Sequence, residues 1–233
     1  MTAMESFRKG MRDGIPIGLG YFVVSFTFGI AAAGGGMTPL QATVISLTNV
    51  TSAGQFAGLE IIFAGGSYLE MALTQLIINL RYCLMSFSLA QKLRRDVPFA
   101  HRFLVAFGVT DEIFGISISQ VEKVHPCYNY GAMCVAIPGW TIGTLIGAVS
   151  GSLLPGFIMS ALSVAIYGMF LAIIIPPARD NRTVLCVVVS AMGLSTLFSL
   201  VPLLKHVSSG FVIILVTLVV AGAAAALSPV DDK

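Results

Sequence analysis

Long apolar stretches alternate with short polar ones along the whole chain. Lys, Arg, Asp and Glu are absent from residues 14–59, 124–178, 183–204 and 206–230, and a membrane-spanning helix needs about 20 mostly apolar residues. The pattern predicts helices over residues 14–34, 39–64, 68–91, 102–121, 128–150, 154–176, 183–203 and 207–227. We therefore expect an all-α polytopic membrane protein with about seven to eight hydrophobic segments.

The basic residues predict how the chain is oriented in the membrane. Arg8, Lys9 and Arg12 lie near the N-terminus, and the loop over residues 92–101 is the most basic one, flanked by Arg102. Short loops rich in Lys and Arg face the cytoplasm. We expect both regions, and so the N-terminus, to be cytoplasmic, which requires an even number of crossings between them.

Three hydrophobic segments lie between the N-terminus and the basic loop, which would give an odd number of crossings. The second segment is the candidate for one that does not cross the membrane. Its middle reads SLTNVTSAGQFAG, and its polar side chains include Thr48, Asn49, Thr51, Ser52 and Gln55. A helix that is broken there and re-enters the side it came from gives an even count, provided that protein or water meets its backbone hydrogen bonds. The alternative is an ordinary span whose polar face is turned into the helix bundle.

Composition assigns nearly the whole chain to the membrane. Hydrophobic residues make up 56% and charged residues 10% of the 233 residues, where soluble domains carry about a quarter charged residues. We expect a single membrane domain over 1–233, with 1–13 as a cytoplasmic N-terminus, 14–91 as the first helices, 92–101 as the basic loop and 102–227 as the remaining helices. A net charge of +2 gives no basic face for nucleic acid.

Three charges lie inside predicted helices. Arg81 is about ten residues before the basic loop, and Asp111 and Glu112 are about ten residues after it, which places all three roughly 15 Å deep. Asn79 belongs to a polar stripe of the same helix, and Arg81 lies on the adjoining face. Charged groups at such depth usually pair or face a cavity. The cluster is either a transport site or a structural clamp between Arg81 and one acid.

Four stretches in fixed order resemble one protein family. RDGIPIGLGYFVVSFTFGIAAAGGG, SAGQFAG, INLRYCLMSFSLA and TDEIFG are similar to the large subunit of bacterial branched-chain amino acid exporters, the AzlC family, over residues 8–182. The Asn-Leu-Arg element and the Asp-Glu pair carry most of the resemblance. Many members are expected to have an acidic residue at or near Ser163, so any coupling role of that acid is in doubt here.

The resemblance implies a function and a partner. It implies a permease of the bacterial cytoplasmic membrane that exports leucine, isoleucine, valine and possibly methionine, driven by a proton or membrane gradient. It also implies a small hydrophobic membrane subunit of the AzlD type as partner. The sequence offers no metal-ligand cluster, nucleotide-binding loop or set of nucleophile, base and orienting group, so we expect neither a cofactor nor an enzyme.

A mechanism follows from these residues as a hypothesis. The substrate carboxylate would meet the broken second helix, lined by Thr48, Asn49, Thr51, Ser52 and Gln55, where a half-helix N-terminus favours an anion. Asp111 or Glu112 would bind the ammonium group or carry a proton, and Arg81 would hold the acids or bind the carboxylate. The alternatives are an assembly subunit that does not itself transport, a channel, and an intramembrane enzyme.

Overall fold

The computed structural model describes residues 2–94, 96, 98–151, 171, 174–175, 178–179, 181–201 and 207–227. The described helices are α1 Ala3–Gly34, α2 Pro39–Thr48, α3 Ser52–Phe63, α4 Tyr68–Lys92, α5 Ala100–Phe107, α6 Asp111–Ile118, α7 Pro126–Gly151, α8 Arg182–Leu200 and α9 Ser209–Leu227. Most of the predicted helix 154–176, with Ser163, lies outside the described residues.

Five of the described helices are long and apolar enough to cross a membrane. They are α1, α4, α7, α8 and α9 from Gly210 onward. The predicted fold class, a helical membrane protein, is confirmed. The remaining helices form two short pairs, α2 with α3 and α5 with α6, and each pair is separated by three residues that are not helical, 49–51 and 108–110. We call these the first break and the second break.

The chain divides into two compact units. Unit 1 lies within Met1–Gln55 and Asn79–Ser163, and unit 2 within Phe56–Ile78 and Val164–Lys233. Unit 1 therefore holds α1, α2, α5, α6 and α7, the first turn of α3 and the end of α4. The two breaks and the three intramembrane charges all belong to unit 1.

Glycines allow α1 and α7 to pack closely and in parallel. A Cβ atom added to Gly10 would overlap the backbone of Tyr128, one on Gly14 would meet Ala132, and one on Gly29 would overlap the backbone of Thr144. Residue numbers rise together along both helices, so α1 and α7 begin on the same side, called here the N-terminal side. Small residues that let two backbones approach are the usual basis of helix association in lipid.

The ends of α1 follow from local capping. Thr2 and Glu5 form a capping box, which satisfies two N–H groups that the first turn leaves without partners. The helix therefore begins at Ala3 in the polar N-terminal stretch, where the hydrophobic pattern predicted a start at residue 14. At its other end Gly36 has φ of 89°, a left-handed conformation that glycine adopts without strain, and Thr38 then caps α2.

The second break was missed by the sequence analysis, and the prediction of one helix over 102–121 is wrong. His101 lies 2.7 Å from the Tyr130 hydroxyl, and Gln120 donates to the Tyr128 hydroxyl at 3.1 Å. Both ends of the α5–α6 segment thus contact the first two turns of α7, while Thr110 at the break reaches Tyr21 on α1. The segment enters the membrane from the N-terminal side and returns to it.

The basic loop also lies on the N-terminal side. The Arg94 N–H donates to the Val124 carbonyl at 3.0 Å, and Arg94 lines a cleft of about 260 Å³ together with Ser6 near the start of α1. The loop and the N-terminus therefore share a side, as the charge distribution predicts. Arg94 also pairs with Asp96, and its hydrogen bonds lower the pKa of the Asp96 carboxyl.

Unit 2 contains a buried carboxylate that joins two of its helices. Glu70, in the first turn of α4, is 4% exposed. It accepts hydrogen bonds from the Ser208 hydroxyl and from the Gly210 N–H, the latter at 3.1 Å. The carboxylate thus lies at the N-terminus of α9, where the helix dipole stabilises a negative charge. No side chain of α8, which packs on α9, is buried.

Candidate functional site

Arg81 on α4 forms an ion pair with Asp111, the first residue of α6. Their closest atoms, Arg81 Nη2 and Asp111 Oδ2, are 2.9 Å apart. The pair lies roughly 16 Å from the end of α4, counted at 1.5 Å per residue. The side chains remain 52% and 40% exposed. A charged pair at such depth faces a water-filled cavity or another protein surface rather than lipid.

Glu112, the next residue along α6, has a different partner. One of its carboxylate oxygens is hydrogen-bonded to the Tyr21 hydroxyl of α1. The same hydroxyl lies 2.6 Å from Thr110 Oγ1. Thr110 in turn caps α6 by accepting from the Ile113 N–H at 3.3 Å. The two adjacent acids thus have contrasting partners, a cation for Asp111 and the neutral Tyr21 hydroxyl for Glu112.

A second polar cluster surrounds Gln55 at the start of α3. The Trp140 indole N–H donates to Gln55 Oε1 at 3.2 Å, and Gln55 Nε2 donates to the Asn49 and Ile45 carbonyls. Ser46 lies 2.7 Å from the hydroxyl of Thr144. An unbroken helix would place residues 45 and 55 roughly 15 Å apart. The contact between Gln55 and Ile45 therefore shows that the chain turns sharply at the first break.

The two clusters meet at an aromatic pair. The rings of Tyr21 and Trp140 pack edge to face, with centroids 5.3 Å apart. Val50 of the first break and Ile113 just after the second break pack against the cluster that contains both rings. The helix α2 leads into the first break, and it begins just after the C-terminal end of α1, on the side opposite the N-terminal side. The helix α5 leads into the second break from the N-terminal side. Two interruptions from opposite sides therefore meet within unit 1.

Each break is followed by the N-terminus of a short helix. The first N–H groups of α3 and α6 have no acceptor within their own helices, and they carry the positive end of the helix dipole. Asp111 and Glu112 occupy this position in α6. At the start of α3, Thr51 is 5% exposed, and its hydroxyl has no hydrogen-bond partner among the described residues. The first turn of α3 carries no acidic side chain, whereas the first turn of α6 carries two.

The structure brings together most of the predicted site residues. Arg81, Asp111 and Glu112 are adjacent, and Asn79 lies half-buried within one turn of Arg81 on α4. At the first break Asn49 and Gln55 are hydrogen-bonded to each other, Thr51 is buried and Ser52 begins α3. Thr48 is the exception, because it is exposed and donates its hydroxyl back to the Val44 carbonyl at 2.8 Å.

Four residues of the site were not predicted. They are Tyr21, Thr110, Trp140 and Thr144. Tyr21 and Trp140 lie within apolar stretches, where an aromatic side chain is usually a packing residue or an interfacial anchor. The TDE sequence was the available signal for Thr110, because Thr followed by acids is typical of a helix start. Among the described residues, no group of His, Cys, Asp and Glu could hold a metal ion.

One protein-family model matches more than half of this chain. The model of the family described as "AzlC protein" matches residues 16–154. These residues run from the first half of α1 past the end of α7, so they include both breaks and the three intramembrane charges.

Similar curated proteins come from distant organisms. An "Uncharacterized membrane protein" of Archaeoglobus fulgidus is 31% identical over 184 residues, covering 78% of this chain and 80% of its own. The "Inner membrane protein YgaZ" of Escherichia coli is 30% identical over 205 residues, covering 84% of this chain and 83% of its own. No solved structure matches significantly.

Proposed function

Because this chain belongs to the AzlC family of membrane proteins, we propose that it is the permease subunit of a secondary transporter that exports branched-chain amino acids. The observation that carries the proposal is the meeting of two helix breaks, approached from opposite sides, at the Tyr21–Trp140 pair. Secondary transporters commonly bind their substrates at interrupted helices near the membrane midplane. Leucine, isoleucine, valine and methionine are the proposed substrates.

The substrate carboxylate binds at the start of α3 in this proposal. The helix N-terminus offers backbone N–H groups and a positive dipole end. Thr51 adds a buried hydroxyl without a partner among the described residues. Such a group is costly to bury unless something bonds to it, and a carboxylate oxygen of the substrate would accept its hydrogen bond.

The substrate ammonium group binds at the acidic residues that begin α6. Both acids lie in the first turn of α6, directly after the second break, and Glu112 is hydrogen-bonded to the Tyr21 hydroxyl. Arg81 compensates the charge of Asp111. The branched side chain rests on the apolar residues of the same cluster, among them Val50 and Ile113. The site thus offers a separate chemical partner to each part of a zwitterionic, apolar amino acid.

A partner subunit is part of the proposal. Arg81 and Asp111 are about half exposed at a depth where lipid would be an unfavourable neighbour. A small hydrophobic membrane protein of the AzlD type would cover such a surface, while leaving room for an aqueous path. The assembly works in the bacterial cytoplasmic membrane with the N-terminus in the cytoplasm, and the proton or membrane gradient supplies the energy.

The experiment is leucine efflux from preloaded bacterial cells. Cells that express this chain together with the small subunit should release radiolabelled leucine faster than cells that express the small subunit alone. An Arg81→Gln variant, with expression raised until its membrane abundance equals that of wild type, should release it near the control rate. Glu122→Gln, an exposed substitution outside the site, should behave as wild type.

Two outcomes would count against the proposal. Wild-type release no faster than the small-subunit control would contradict branched-chain amino acid export by this chain. Release that rises linearly with leucine concentration and does not distinguish L-leucine from D-leucine would favour a channel instead.

A further inference from the structure

Unit 2 contains a cleft that takes no part in the proposed transport site. It has a volume of about 350 Å³ and lies where α3 and α8 end and α9 begins. The described residues that line it are Glu60, Ser195, Phe198, Ser199, Val207, Val212 and Ile213. Ligand sites are usually clefts of about 300–1,000 Å³ with mostly apolar walls and a few polar groups. This cleft has both that size and that composition.

Glu60 supplies the one charged side chain among the described residues of the cleft. It lies in the last turn of α3, and no described residue forms an ion pair with it. Its carboxylate therefore has no compensating charge in the part of the chain that the structure describes. Charged groups in membrane proteins usually pair or face a cavity. A cation bound in the cleft would be the partner of this carboxylate.

Two serine residues add polar groups to the cleft. Ser195 and Ser199 are one turn apart on α8, so both project from the same face of that helix. The Ser199 hydroxyl donates its proton to the Thr196 carbonyl at 2.9 Å, so its oxygen can only accept a hydrogen bond from a ligand. The Glu60 carboxylate is also an acceptor. These two groups therefore match an ammonium group, which has three N–H donors and a positive charge.

The rest of the wall is apolar. Phe198 lies between the two serines on α8, and Val212 and Ile213 lie in the first turns of α9. The start of α9 is fixed because Glu70 accepts a hydrogen bond from the Gly210 N–H at 3.1 Å. Such a wall favours a small hydrocarbon body, and an aromatic ring can also attract a cation to its face. The described lining includes no Lys, Arg or His, so a carboxylate on the ligand would have no cationic partner.

We propose that this cleft binds a small primary amine with an apolar body, whose ammonium group contacts Glu60 and Ser199 and whose hydrocarbon part packs against Phe198. An amino acid fits less well, because the cleft offers its carboxylate no cation. The inference does not depend on the proposed transport function. The described residues of the cleft belong to unit 2, whereas both breaks and the three intramembrane charges belong to unit 1.

The test is equilibrium binding of radiolabelled 3-methylbutylamine to the purified full-length chain in lipid nanodiscs at neutral pH, where an alkylamine is protonated. Empty nanodiscs measure the amine that dissolves in lipid. Wild type should bind one amine per chain in excess of that amount. Two competitors test the ligand class. One is 4-methylpentanoate, which carries a carboxylate on the same hydrocarbon group, and the other is leucine. Each should displace the amine about tenfold less effectively than unlabelled amine does, or worse.

Two substitutions test the polar contacts. Glu60→Gln keeps the length of the side chain but removes its charge, so amine affinity should fall about tenfold or more. Ser199→Ala removes one acceptor and should lower the affinity about threefold to tenfold. Glu122→Gln changes an exposed acid of unit 1 in the same way, and it should bind the amine as wild type does. Size-exclusion chromatography of each variant shows whether it is folded.

Four results would overturn the proposal. The first is wild-type binding no greater than that of empty nanodiscs, and the second is unchanged affinity in a folded Glu60→Gln protein. If Glu60→Gln does not fold, unchanged affinity in Ser199→Ala decides in the same sense. The third is equal displacement by 4-methylpentanoate, which would show that the charge of the ligand is not recognised. The fourth is equal displacement by leucine, which would make the cleft an amino acid site. Failure of leucine transport would leave the amine site standing.

Discussion

The edge of one aromatic ring of the Tyr21–Trp140 pair meets the face of the other, with centroids 5.3 Å apart, and the polar atoms of the two side chains point to different helix breaks. Tyr21 bonds to Thr110 and Glu112 after the second break, and Trp140 bonds to Gln55 after the first. The two helices that carry these rings, α1 and α7, are held in parallel by glycines. A rigid helix pair therefore supports two interrupted ones.

The Tyr21 hydroxyl should be needed for substrate binding although its ring is needed for packing. Tyr21→Phe keeps the ring against Trp140 but removes the hydrogen bond to Glu112. We expect leucine affinity to fall about tenfold or more, because a hydrogen bond to a charged group contributes about 1.5–3 kcal/mol. The measurement is radiolabelled leucine binding to the protein in nanodiscs.

Tyr130→Phe is the matched control for this substitution. The Tyr130 hydroxyl bonds to His101 near the start of α7, away from both breaks. Leucine affinity should therefore stay within twofold of wild type, whereas a tenfold loss corresponds to about 1.4 kcal/mol. Equal affinity losses in the two variants would contradict a specific role for Tyr21.

The hydrogen bond between Trp140 and Gln55 should couple α7 to the first break. Trp140→Phe and Gln55→Leu each remove one partner of the 3.2 Å bond. Residues in contact show non-additive effects on the free energy of unfolding of about 0.5–3 kcal/mol. The double variant should therefore lose less unfolding free energy than the sum of the losses in the two single variants. Reversible unfolding of the three variants, compared with wild type, gives the coupling energy. Additive losses would mean that the bond does not form in solution.

Arg81 and Asp111 should depend on each other for folding. Arg81→Gln leaves Asp111 without its cation, and a lone charge at this depth costs a few kcal/mol. We expect low membrane abundance for either single neutral variant and recovery in the double variant Arg81→Gln with Asp111→Asn. Immunoblots of membranes at matched expression measure this. Double-variant abundance below that of both single variants would contradict the pairing.

Much of this architecture follows from the sequence, because lipid permits few solutions. Apolar length predicts the spanning helices, and the polar run from Thr48 to Gln55 predicts the first break. The second break was missed because FGVT, residues 107–110, is apolar and one glycine inside a span is common. Its signal is tertiary, since α6 is held against α7 by contacts such as Asn129 Nδ2 to Ser117 Oγ at 2.8 Å.

The candidate site was predictable to a similar extent. Arg81, Asp111 and Glu112 were found because charges are rare in membrane segments, and counting residues from one loop placed them at one depth. Which acid Arg81 would bind could not be predicted, since that depends on where α6 begins. Tyr21 and Trp140 are about 120 residues apart in the chain, and only parallel packing of α1 and α7 brings such distant positions together.

Close packing of α1 on α7 should be sensitive to a single methyl group. A Cβ on Gly29 would overlap backbone atoms of α7, whereas one on Gly20, in the same helix, has nothing within 4 Å. We expect Gly29→Ala to destabilise the protein by about 1–3 kcal/mol, the usual cost of overpacking, and Gly20→Ala to be neutral. Thermal unfolding of the detergent-solubilised variants checks this. Equal melting temperatures would contradict the parallel glycine contact.

The most direct test of the central claim is leucine transport in proteoliposomes that contain only the purified full-length chain and the small subunit. An imposed pH gradient should drive L-leucine against its own concentration gradient, saturably and in preference to D-leucine. Vesicles that contain the small subunit alone should be inert. If the complete vesicles move leucine no faster than those control vesicles, this chain is not the branched-chain amino acid permease proposed here.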